Sequence, residues 1–106
     1  MPYDPAAVAA VMTSDSATAI VAYCETQIYA LGRTFDACAH WSYPVKPPDP
    51  QGRYSLSVII AKPFAWFFQL HYTGEQILGY STGTTTADIQ HQIHAEIDKA
   101  LSGREL

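Results

Sequence analysis

Between Ala17 and Leu31 the apolar positions Ala17, Ile20, Val21, Cys24, Ile28 and Leu31 recur at intervals of three and four. That spacing lines one face of an α-helix, and Gly32 supplies its C-terminal stop. Upstream, Asp4-Pro5 is a helix start, with Asp as N-cap and Pro at the first helical position, where its missing N–H is not needed. A short helix over PAAVAAVM follows. TSDS ends it and caps the next one, because Ser and Asp side-chain oxygens compete for backbone N–H groups.

After Gly32 the period changes to two. Phe35, Ala37, Ala39, Trp41 and Tyr43 alternate with Asp36, Cys38, His40 and Ser42, the pattern of a half-buried strand. PVKPPDPQG reads as a stiff surface connection, not a domain boundary. RYSLSVII and FAWFFQLHY predict a second and third strand, GE a turn, and QILGYST a fourth strand. A Gly-Thr-Thr-Thr segment, with Thr85 as cap and Asp88 at N3, opens a last helix from about Ala87 to Leu101, and Gly103 ends it. No internal repeat is present. The expectation is a single α+β domain over residues 1–106: a four-stranded antiparallel meander with N- and C-terminal helices on one face, in the order α(α)ββββα.

Parity assigns the faces. With Ala61-Lys62-Pro63 as a three-residue turn, Ile60 pairs with Phe64. Tyr54, Leu56, Val58 and Ile60 then share a face with Phe64, Trp66, Phe68, Leu70 and Tyr72. A slip of one residue would move every side chain to the other face, at roughly 1.5–3 kcal/mol for each large apolar group exposed. The second face carries Asp36, Cys38, His40, Ser42, Ser55, Ser57, Ile59, Phe67, Gln69 and His71. Gly74-Glu75 as a type II′ turn pairs Tyr72 with Ile77 and adds Leu78 and Tyr80 to that face. It therefore mixes apolar Ile59, Phe67, Leu78 and Tyr80 with hydroxyls and two imidazoles. A solvated face needs none of those large apolar groups, and such a patch marks an interface.

Composition narrows the function classes. The chain has 106 residues, 48% of them hydrophobic and 15% charged, which argues against disorder. With six Lys and Arg and a formal net charge of −4, it offers no basic stripe for nucleic acid. Its seven tyrosines suit positions with one dry and one wet end. Cys24 and Cys38 form no CxxC pair and are too few for a disulfide scaffold, so they read as reduced packing residues. No apolar run approaches the roughly 18 residues of a membrane span. The N-terminus lacks the basic region of a signal peptide, so a cytoplasmic location is the expectation.

Three groups carry candidate chemistry. On the last helix Ile89, Ile93, Ile97, Ala100 and Leu101 form the apolar stripe. His91 points away from it, and His94 and Asp98 lie at its edge. Two ligands on an exposed helix make a poor metal site, since zinc takes three or four, so this side reads as solvated. Cys38, His40 and His71 share the second sheet face and are the residues of a small hydrolase-like alternative, with Ser55 or Ser57 as hydroxyl nucleophile and Asp36 as orienter. The STGTTTAD stretch offers hydroxyls before a helix start, so an anion or small-ligand site at Thr84–Thr86 is another alternative. It is not a P-loop, because no Lys follows the glycine in the right place. The leading expectation is a non-enzymatic protein-interaction module without metal or cofactor. It would be an inhibitor or neutraliser of a larger protein, of the kind that phages and mobile elements encode. It would bind a protein partner, or a second copy of itself as a homodimer, through Phe67, Leu78, Tyr80, Ile59, His40 and His71.

Overall fold

Asp4 opens the first helix as its residue type requires: Oδ1 accepts from the N–H groups of Ala6 and Ala7 at 3.1 and 3.3 Å. A computed structural model describes residues 4–43 and 52–104. Apart from Gly52, the Pro-rich connection lies outside the described residues. Helix α1 is Pro5–Met12 and helix α2 is Asp15–Tyr29, with Ser14 capping α2 through the Ala17 N–H at 3.2 Å. Strands β1 (Asp36–Ser42), β2 (Arg53–Lys62) and β3 (Trp66–Thr73) form an antiparallel sheet in the order β1-β2-β3. Helices α3 (Gly74–Thr82) and α4 (Thr86–Leu101) complete the described elements. Among the described residues no single helix is long and apolar enough to cross a membrane.

The predicted fourth strand is a helix, so the sheet has three strands rather than four. Local chemistry decides this. The Thr73 side chain accepts from the Gln76 N–H at 3.1 Å, and Gln76 Oε1 accepts from the Thr73 N–H at 2.8 Å, a reciprocal capping box. Tyr72 and Ile77 flank the box at the positions of a hydrophobic staple, and both are buried. Gly83, at φ +89°, then ends the helix in the left-handed conformation that glycine adopts without strain. Gly74-Glu75 is thus a helix start and not a hairpin turn.

Parity survives in the first two hairpins. Ile60 pairs with Trp66 rather than Phe64, because β2 continues to Lys62, yet a shift of two residues leaves every side chain on its expected face. One face carries Ala37, Ala39, Tyr54, Leu56, Val58, Ile60, Phe68 and Tyr72, all buried. Helix α2 covers it with Ala17, Ile20, Cys24 and Ile28, and α4 contributes Ile89, Ile93, Ile97 and Ala100. Polar groups pin the layers together. The Trp41 indole N–H donates to the Ala17 carbonyl at 2.9 Å, and the Tyr72 hydroxyl donates to Gln92 Oε1. Tyr23 Oη and His94 Nε2 meet at 2.5 Å between α2 and α4. Buried Ser16 bonds Ser81 Oγ at 2.6 Å, tying α2 to α3. Burial pushes the Cys24 thiol up to about 12, with the Glu25 charge adding to it, so Cys24 stays protonated as a packing group. Cys38, in contrast, is exposed.

Candidate interaction face

The face of the sheet turned away from the helices is ordered in three cross-strand rows. Ser42, Ser55 and His71 form one, His40, Ser57 and Gln69 the next, and Cys38, Ile59 and Phe67 the third. The rows grade from polar to apolar. Ile59 is 41% exposed and Phe67, opposite it, 56%. Ser57, flanked on the central strand, is buried and its Oγ accepts from Gln69 Nε2 at 3.0 Å.

Leu78 and Tyr80 do not belong to this face, because the segment that carries them is α3. Leu78 is 45% exposed on that helix. Tyr80 is half-buried against α4, where its hydroxyl accepts from Gln90 Nε2 at 3.0 Å. The expected six-residue set therefore reduces on the sheet to Ile59, Phe67, His40 and His71.

The catalytic alternative keeps its residues on one face but not together. Cys38 and His40 lie on β1 and His71 on β3, with β2 between them, so they are separated by two strand spacings, roughly 9–10 Å. Ser55 and His71 are direct cross-strand partners, and Ser55 Oγ and His71 Nδ1 are both buried without a hydrogen-bond partner among the described residues. Asp36, the expected orienter, sits opposite Lys62 at the other end of the sheet, out of reach of His71. Among the described residues no three His, Cys, Asp or Glu side chains group closely enough to hold a metal ion. His91 is exposed, and His94 is engaged with Tyr23.

The threonine cluster has a structural use that its sequence position conceals. The Thr85 hydroxyl donates to the Gln76 carbonyl at 2.6 Å and the Thr86 hydroxyl to the Tyr80 carbonyl at 2.5 Å. The Thr84 and Thr85 N–H groups both donate to the Gly79 carbonyl. The bonds to Gly79 and Tyr80 reach carbonyls of the last turn of α3, where a helix leaves its C=O groups without an i+4 partner, and the Thr85–Gln76 bond adds to a carbonyl one turn earlier. Thr85 consequently makes no side-chain cap on α4, contrary to the expected Thr85–Asp88 box. Gly79 permits the close approach, since a Cβ there would stand 3.1 Å from Thr85 Oγ1.

A groove of about 670 Å³ at the hairpin end, lined by Leu31, Gly32, Thr34, Phe35, Pro63, Phe64 and Arg104, was not among the sequence expectations. The Arg104 guanidinium lies 3.8 Å above the Phe64 ring centre, and its Nε–H donates to the Ala100 carbonyl at 2.7 Å. It forms because the chain after α4 returns to the β2–β3 turn, which no local pattern encodes.

The free side of β1 is occupied. The Ala39 N–H donates to Glu25 Oε2 at 3.0 Å, and the Ala37 carbonyl accepts from the Tyr29 hydroxyl at 2.7 Å. Both helix residues come from α2, one turn apart, so their side chains take the place of a fourth strand.

Compared with protein-family models, with curated proteins and with solved structures, the chain matches none.

Proposed function

We propose that the protein is a small non-enzymatic interaction module that occludes a larger protein partner through the open sheet face, as an inhibitor or neutraliser does. One observation carries this reading. Ile59 and Phe67 are adjacent cross-strand partners, both well exposed, on the face that the helices leave uncovered. A contiguous aromatic and aliphatic pair rimmed by His40, Cys38 and Gln69 has the anatomy of a contact centre: an apolar anchor within a polar border.

The test compares two variants of similar exposure, one on the sheet face and one on α3. Phe67→Ala weakens capture of the partner by about 2 kcal/mol or more, whereas Leu78→Ala leaves it within about 0.5 kcal/mol. Affinity capture from lysate, quantified for wild type and both variants, reads the difference. Undiminished capture by Phe67→Ala, or equal loss in the two variants, overturns the proposal.

A further inference from the structure

We propose that β3 pairs antiparallel with β3 of a second copy, about a two-fold axis at Gln69, joining two three-stranded sheets into one. The bare strand edge carries this proposal independently of the open-face reading above.

The argument begins at the opposite edge. The Ala37 carbonyl and the Ala39 N–H point away from β2, since they bond Tyr29 and Glu25. In an antiparallel ladder the main-chain groups of successive residues point to alternate sides. Cys38, His40 and Ser42 therefore face β2, and Val58, opposite Ala39, faces β3. Val58 pairs with Phe68, so Phe68 and Leu70 turn inward and the N–H and C=O groups of Phe67, Gln69 and His71 turn outward. Among the described residues no hydrogen bond reaches those outward groups.

The two edges are treated differently. β1 is sealed by Glu25 and Tyr29 and has a register irregularity at Asp36/Ala37. β3 runs WFFQLHYT without a charged residue, proline, glycine or bulge, which are the devices that keep an edge from pairing. An edge left bare beside one that is covered points to a strand partner.

A second copy fits that edge. Pairing about Gln69 sets Phe67 against His71 of the other copy and Gln69 against its own counterpart. All three outward positions then meet outward positions, and each pair exchanges two main-chain hydrogen bonds. No like charges are opposed, although the chain carries a net −4. Because β1 is sealed in both copies, pairing stops at two and does not run on into a fibre.

Gln69→Lys and Gln69→Glu test this directly, since Gln69 is exposed and either charge would face itself across the axis. Sedimentation of the wild type at rising concentration should show a dimer. Each variant alone should weaken it by about tenfold or more, and an equimolar mixture should restore it. Circular dichroism confirms that both variants fold. In the wild type, the Phe67, Gln69 and His71 amides should gain protection from hydrogen exchange as the dimer forms, a readout that needs no variant. A wild type that stays monomeric, or a dimer indifferent to both charges, overturns the self-pairing. If capture of another protein still depends on Phe67 in a monomeric wild type, self-pairing falls while the open-face reading stands. A charge-sensitive dimer whose partner capture ignores Phe67 removes the open-face reading instead.

Discussion

Phe68→Ala destabilises the protein by about 3–5 kcal/mol, whereas Phe67→Ala, one residue earlier, costs less than about 1 kcal/mol. The contrast follows from the pleat. Phe68 is 5% exposed, opposite Val58 on the helix-covered face, and its removal leaves a cavity among side chains that cannot all collapse into it. Phe67 is 56% exposed and loses little packing in the isolated chain. Urea melts with a common m-value measure both. Equal losses would mean that the second face is also covered, and would remove the basis for an interaction surface there.

The second large effect lies on α4. Ile93→Ala costs about 2–5 kcal/mol, and His91→Ala stays within about 0.5 kcal/mol. Ile93 is fully buried in the cluster shared by α2, α4 and the sheet, and His91 faces solvent. Because Ile89, Ile93 and Ile97 stand at i, i+4 and i+8, truncating the middle one opens a void that its neighbours on the same helix cannot fill. The same urea series measures the pair, and similar losses for the two would place the wrong side of α4 against the sheet.

Much of this architecture is legible in the sequence where period and burial agree. The 3.6-residue stripes of α2 and α4 and the alternation of β1 and β3 each bury one face, so their inward residues follow from pattern, except Leu31, which lies beyond the end of α2 and is exposed. QILGYST shows where that fails. It is short, and apolar residues at Ile77, Leu78 and Tyr80 fit either period. The deciding signal is the Thr73-to-Gln76 box, two residues whose side chains act on backbone groups and not on the core. A strand there would place Leu78 and Tyr80 on a sheet face that, as residues of α3, they never reach. The threonines at 84–86 mislead for a related reason. Hydroxyls before a helix suggest a cap or an anion site, but here they serve the end of the preceding helix. The seal on β1 by Glu25 and Tyr29 is tertiary, and nothing in the local pattern of either segment announces it.

The open-face account is tested most directly by photo-crosslinking from single positions. A photoreactive phenylalanine analogue at position 67 should give a discrete adduct with the partner, and one at position 78 should give none above background. An adduct of twice the chain's mass identifies the partner as a second copy, and any other mass a different protein. Adducts of equal yield from both positions, or none from position 67, would contradict the assignment of the sheet face as the binding surface.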